Sequence, residues 1–298
     1  MRREACGLRG SRMLALAIMA AAPGSAPATE ATEMAASVAS IAVDGTKLKI
    51  TLSDGRVLSS RDLIGASLLV DQGGRLARVR LDSLEPDPDD KRRDLAPADV
   101  IWLHGFTVER PDGSWGPLCD AGPDGRRQAV PLAGRLSSPD GRFGAGVAGN
   151  FELACTAGAM GKCIRFGYHP WQVREPAAPA AHPGGAAQPS YLDLYNACIR
   201  MVRADYGGDG ASTTRNGMLI DLYDDRAIQT PDLDSRMAFE AGWTADGAVC
   251  VNHARVKDNI SLGDIEARWP RLAGRTGVVC TEAAARSLGA VLFNRSLP

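Results

Sequence analysis

"SYLDLYNACIRMVRADYGGDG", residues 190–210, decides the fold, because the hydrophobic period of the chain changes here. Tyr191, Leu194, Tyr195, Cys198, Met201 and Val202 recur at helical spacing. Ser190 followed by Asp193 is a capping-box start. Gly207-Gly208 reads as the stop, glycine being the residue that takes the left-handed conformation after a last helical turn. The end of the stretch, Arg203, Ala204, Asp205, Tyr206, Gly207, Gly208, Asp209 and Gly210, raises two readings. Two carboxylates four apart among glycines suggest a Ca²⁺ loop. Such loops need several converging oxygens, and here no bidentate Glu follows. The competing reading, a helix end and a tight glycine corner, is the one we favour.

Upstream the texture is different. "EPAAPAAHPGGAAQPS", residues 175–190, is rich in Pro, Ala and Gly and reads, with 173 and 174, as a linker or long surface loop. Before it, across 41–172, short alternating runs are separated by turns. "KLKITL" puts Leu48, Ile50 and Leu52 on one face, and Asp54-Gly55 then turns the chain. "LARVRLD" sets Ala77, Val79 and Leu81 against Arg78, Arg80 and Asp82. "VIWLHGFTV" sets Val100, Trp102, His104, Phe106 and Val108 on one side. Asp-Gly occurs seven times, at 44, 54, 112, 124, 140, 209 and 246. This pattern predicts an antiparallel β-rich half. "EPDPDDKRRD", 85–94, reads as a solvated loop; as a Ca²⁺ site it lacks the ligand spacing and the turning glycine.

Downstream, across 191–298, "GMLIDLYD" and "GAVCVNHARV" read as strands. "SLGDIEARW" reads as a helix capped by Ser261 and stopped by Pro270, and "TEAAARSLGAVLF" as a final helix capped by Thr281. The fold class expected is α+β, a β-rich antiparallel half followed by a helix-and-strand half.

The chain has 298 residues and a formal charge of −1. Its first residues, MRREACGLRGSR, are basic; MLALAIMAAA (13–22) is apolar; Ala26-Pro27-Ala28 offers a cleavage site. Residues 1–28 are therefore expected to be a signal peptide cut near Ala28, followed by a small polar leader, 29–40. The apolar run is far shorter than the ~20 residues needed to span a bilayer. Removing 1–28 takes away four arginines and one glutamate, and the formal charge becomes −4. Nucleic acid is not an expected partner, since phosphate binding needs a clustered positive field. The localisation expected is periplasmic or secreted, with an envelope component or extracellular ligand as the kind of partner.

Six cysteines remain after the leader: Cys119, Cys155, Cys163, Cys198, Cys250 and Cys280. An even number in an oxidising compartment predicts three disulfides, with fifteen pairings open. A zinc site would want closer spacing or histidine partners. Cys155 and Cys163, eight apart around Gly158 and Gly161, suit a local structural bridge better than a redox pair, which favours C-x-x-C.

Longer blocks resemble a known family. "FELACTAGAMGKCIRFGYHPW" (151–171), "CIRMVRADYGGDG" (198–210), "AGWTADGAVCVNHARV" (241–256) and the Trp115-to-Cys119 spacing are similar to the ADYC-domain family, over roughly 40–285. The resemblance implies an exported bacterial protein and carries no assigned activity. It also implies a cysteine at 207, where this chain has Gly, and one in an A-R-C-P-like stretch, where this chain has Trp269. If those two positions normally pair, this chain has lost both halves of one bridge together.

Two further groups are candidates for chemistry. "GYHPW", with Tyr168, His169 and Trp171, could be a ligand-stacking platform, or could pack the core. His253 could pair with Asp264 or Glu266 as acid and base, or be a hydrogen-bonded strand residue. No recognised hydrolase, metalloprotease or phosphate-loop motif accompanies it. His104 and His182 are weaker candidates. The sites "NIS" at 259 and "NRS" at 294 match the glycosylation pattern, and we expect neither to be modified in a bacterium. No cofactor or metal is expected. A disulfide from Cys119 or Cys163 to the C-terminal half is a hypothesis. The function expected is a non-catalytic binding or structural role at the cell envelope. The alternatives are a hydrolase-like enzyme using His253 or His169 with a carboxylate, and a Ca²⁺-binding surface module.

Overall fold

A computed structural model describes residues 36–71, 75–90, 100–136, 140–144, 146, 149–172, 189–232 and 236–298. The expected signal peptide, most of the leader, residues 91–94 of the 85–94 loop, nearly all of the 173–190 linker and His182 lie outside the described residues.

Two compact units emerge. The first holds the described residues up to Arg135 and those between 145 and 157; the second holds those between 136 and 144 and from Gly158 onward. By compactness, residues 158–172 therefore group with the helix-and-strand unit and not with the β-rich half where the sequence reading put them.

The strands of the first unit pair antiparallel, and a 3-10 turn at Ser60–Leu63 follows the third. Strands β1 (Val38–Asp44), β2 (Lys47–Leu52) and β3 (Val57–Ser59) form a meander. A larger sheet has the order β11-β8-β6-β5-β4, made from β4 (Ser67–Asp71), β5 (Leu76–Pro86), β6 (Trp102–Glu109), β8 (Gln128–Ala133) and β11 (Phe151–Cys155). Strand β7 (Trp115–Pro117) pairs with the second half of β6. Leu48, Ile50 and Leu52 share one core with Val79, Leu81 and Phe106, as their alternation requires. β6 departs from simple alternation: Leu103 is buried along with His104 and Phe106. As the central strand, with β5 on one side and β7 and β8 on the other, it is buried on both faces at its start.

The Asp-Gly dipeptides have a common physical cause. All seven glycines take positive φ. In five of them the preceding Asp accepts a hydrogen bond from the backbone N–H two residues on: Asp54 from Arg56, Asp112 from Ser114, Asp124 from Arg126, Asp140 from Arg142 and Asp209 from Ala211. The carboxylate fixes the turn and the glycine takes the conformation other residues resist.

A two-residue ladder, β9 (Arg135–Leu136) with β10 (Phe143–Gly144), precedes β11 in the chain. In the second unit, α1 (Ala159–Arg165) and α2 (Tyr191–Arg203) accompany a four-stranded sheet of order β12-β15-β13-β14. Its strands are β12 (Ile220–Asp224), β13 (Ala238–Thr244), β14 (Gly247–Val251) and β15 (Leu292–Ser296); α3 (Leu262–Arg268) and α4 (Glu282–Ser287) complete it. The three caps are as expected: Ser190 accepts from Asp193 N, Ser261 from Asp264 N and Thr281 from Ala284 N.

Three expectations are corrected. Helix α2 ends at Arg203, with Ala204 in the left-handed conformation (φ 48°), and not at Gly207. Its last carbonyls are taken instead by Arg255, whose guanidinium donates to Met201 O (2.8 Å) and Val202 O (3.2 Å), so the helix can stop without a glycine. The final helix breaks after Ser287; beyond Gly289 the sequence is β15, an interior strand. Finally, α1 lies where β structure was expected.

Three disulfides brace the units: Cys119–Cys155, Cys163–Cys198 and Cys250–Cys280, with Cα separations of 5.6, 5.8 and 5.5 Å. The local Cys155–Cys163 bridge does not form; Cys155 sits on β11 and Cys163 inside α1, each with another partner. Cys163–Cys198 ties α1 to α2 and crosses the linker in sequence, joining residue 163 to the C-terminal half.

Candidate functional site

The residues that looked most like a signature converge on two buried ion pairs in the second unit. Asp205 is fully buried and bonded to Arg200 at 2.7 Å. Its oxygens also accept from Gly208 N and Gly210 N, both at 2.9 Å. An isolated carboxylate here would be costly; three donors, one of them a guanidinium, satisfy it. Asp209 turns elsewhere, accepting from Ala211 N, Arg268 (3.0 Å) and the indole of Trp269 (3.2 Å). The two carboxylates serve separate donors. Among the described residues no group of three or more His, Cys, Asp or Glu side chains converges as a metal centre.

Gly208 lies against the β13–β14 turn: an added Cβ would stand 1.9 Å from Asp246 O. Arg271 closes this contact by donating to Tyr206 O (2.8 Å), Gly207 O (3.0 Å) and Asp246 O (3.1 Å). Arg203 donates to Gly210 O. The stretch 203–210 is thus a corner held by backbone and guanidinium groups.

Tyr206 leads to the second pair. Its ring stacks on Trp243 (centroids 5.4 Å apart), and its hydroxyl donates to Glu240 and accepts from Arg255 N. Arg255 and Glu240 form a two-pronged pair at 2.9 and 3.0 Å. Asn294 donates to Glu240 and accepts from the Trp243 indole. Burial raises the pKa of Glu240, but Arg255 and the surrounding donors outweigh it and hold the carboxyl below its ordinary value.

His253 abuts this network, with Nε2 3.0 Å from Ser296 Oγ. A Ser–His contact invites a nucleophilic reading. Ser296, however, is fully buried on β15 and bonded to Glu240, so its oxygen has no path to a substrate. Burial lowers the pKa of His253. Neither expected acid accompanies it: Asp264 closes the α3 capping box, and Glu266 accepts from Gly274 N and Thr276. Tyr168 and His169 are fully buried, Tyr168 bonded to Asp224 and His169 to Ile164 O. Trp171, half-buried, stacks on His169 at 4.6 Å. The faces needed for a stacking platform at Tyr168 and His169 are covered by protein. Of the two glycosylation matches, Asn294 is buried, while Asn259 is exposed and its amide donates to Thr213 O.

A feature that the sequence reading missed lies in the first unit. An open cleft of about 370 Å³ sits over β5, β6 and the loop before β8. Its floor is Gly105, where an added Cβ would strike Ser83 Oγ at 2.2 Å. One wall carries Asp82 and Thr107, bonded to each other at 2.7 Å; the other carries Arg126, Arg127 and Gln128. Glu85 orients both Arg126 (2.6 Å) and Gln128 (2.7 Å). The available signal was "DGRRQ" at 124–128, a basic doublet on an Asp-Gly turn beside outward-facing small positions of β6.

Comparison with known proteins adds one match: the family model for the ADYC domain covers residues 60–257. No curated protein and no solved structure matches the chain. The matched span contains the Asp205 corner, Glu240 and Arg255. This chain belongs to the ADYC domain family.

Proposed function

We propose that the protein is an exported bacterial envelope module that binds a ligand without transforming it. The observation that carries this reading is the cleft over β5 and β6. Asp82, Thr107, Arg126 and Gln128 are held in place by neighbours (Glu85 on Arg126 and Gln128, Arg80 and Thr107 on Asp82), the preorganisation that a binding site requires. Its lining supplies charge, hydroxyls and an amide, a recognition set. Three disulfides suit an oxidising compartment, and among the described residues no helix is long and apolar enough to cross a membrane. The basic-apolar-AxA order of residues 1–28 supports export.

Two measurements test the reading. Expressed in a Gram-negative host, the full chain should be recovered outside the cytoplasm, shortened near Ala28 and without free thiols. Full-length protein left in the cytoplasm would overturn export. Turnover of p-nitrophenyl esters by the purified protein, lost in His253→Asn with the fold intact, would overturn the non-catalytic reading.

A further inference from the structure

The two walls of the β5–β6 cleft differ in charge and in what they leave unused. On one wall Arg127 is exposed, and among the described residues it has no hydrogen-bond or ion-pair partner. Arg126 beside it commits Nη1 to Glu85 and holds Nε 3.7 Å from Asp124. A planar guanidinium with donors to spare matches a carboxylate or phosphate. Across the floor, Asp82 accepts from Arg80 on one oxygen (2.5 Å) and from Thr107 on the other (2.7 Å). Each carboxylate oxygen has lone pairs remaining for a further donor. Ser83 and Gln128 add a hydroxyl and an amide near the floor.

A compact dianion would satisfy the arginines but face repulsion from Asp82. A neutral sugar would satisfy Asp82, Ser83 and Gln128 but leave Arg127 unpaired. The pattern calls for a negative charge at one end of the ligand and hydroxyl donors at the other. We infer that the cleft takes a hydroxylated carboxylate, the chemistry of a sugar acid. This rests on the binding reading above and specifies its ligand class. The cleft, at about 370 Å³, lies in the size range of small-ligand sites. Gly105 is what keeps the floor open, since any side chain there would displace Ser83.

The test is calorimetric titration of the full mature chain with glucuronate, glucose and inorganic phosphate at low salt. Glucuronate should bind more tightly than either of the others. Arg127→Ala, on an exposed loop, should weaken glucuronate binding by about tenfold or more, the loss of a charge-assisted bond. Gly105→Val should abolish it; if that variant misfolds, the Arg127 result decides alone. Binding of phosphate or glucose as tight as that of glucuronate would overturn the ligand class and leave the binding reading standing. No heat with glucuronate, or an unchanged affinity in Arg127→Ala, would overturn the assignment to this cleft. The export and turnover measurements are unaffected by either result.

Discussion

The indole of Trp269 fills the space that a side chain at Gly207 would occupy. A Cβ built on Gly207 would lie 2.0 Å from Trp269 Cε2 and 2.1 Å from Nε1, while that same Nε1 donates to Asp209. The resemblance to the ADYC family implied cysteines at these two positions, and the structure makes the positions neighbours. A large ring against a bare backbone replaces two small side chains, so the pair is coupled by volume. We predict that Gly207→Ala destabilises the protein by about 1–3 kcal/mol, the usual cost of overpacking. Adding Trp269→Leu should recover part of that loss in a double-mutant cycle followed by urea unfolding. Additive effects would show that the two sites are not coupled.

Gly207→Cys with Trp269→Cys should form a fourth disulfide. Removing the indole clears the space in which two short side chains can meet, subject to the Cα limit of about 7 Å. The measurement is alkylation of the folded, oxidised protein followed by intact mass. Two alkylated thiols would sink the pairing. Even with the bridge formed, the loss of the Trp269–Asp209 hydrogen bond should keep the net gain below the roughly 2–4 kcal/mol typical of a disulfide.

How much of this was legible beforehand follows from how local each cause is. The alternation at Leu48, Ile50 and Leu52, the Asp-Gly turns and the caps at Ser190, Ser261 and Thr281 are each set within a few residues, and each was readable. Helix α1 was hidden because its seven residues are too short to show a period and include Gly161. Strand β15 was hidden because Leu292 and Phe293 follow a helical run, and only Gly289, with φ at 85°, marks the break. The end of α2 at Ala204 depends on Arg255, about fifty positions later. The same distance hides the site: Glu240, Arg255, Asn294 and Tyr206 look like ordinary polar residues until the sheet brings them together. The cleft was missed because its decisive residue, Gly105, contributes no side chain at all.

Stability should rise with pH between about 4 and 6.5, in part through His104. This residue is fully buried on β6, with Nε2 2.8 Å from Ser60 Oγ and Nδ1 3.1 Å from Trp102 O. Burial lowers its pKa from 6.5 to about 4, against smaller opposing contributions from the Trp102 and Ala129 backbone. The unfolded chain therefore binds a proton in this window that the folded chain refuses. The contribution is fully present above the unfolded pKa and is lost as pH falls through the folded one. Its size is about 3 kcal/mol at most, at 1.36 kcal/mol per pKa unit. Urea midpoints at pH 4.5 and 7 should differ less in His104→Asn than in the parent. Imidazole NMR should show His104 mostly neutral at pH 5 and above, titrating only near pH 4. An imidazole titrating near 6.5 in the folded protein would refute the prediction.

Removing one member of the Glu240–Arg255 pair should cost more than removing both. Both side chains are buried, and the guanidinium also serves Met201 O and Val202 O at the end of α2. Glu240→Gln keeps the shape but leaves the Arg255 charge uncompensated, at a cost of about 3–5 kcal/mol. The damage should reach beyond β13, because Tyr206 and Asn294 donate to different oxygens of Glu240 and the glutamine amide keeps only one of them as an acceptor. In Glu240→Gln with Arg255→Met the buried charge is gone, and an apolar stem of similar length fills the space. The helix carbonyls then lose their donor, so recovery should be partial. Thermal melts of the three variants check the order: the parent highest, the double variant between, Glu240→Gln lowest. If Glu240→Gln melts with the parent, the pair contributes little to stability, and the burial of both charges has another cause.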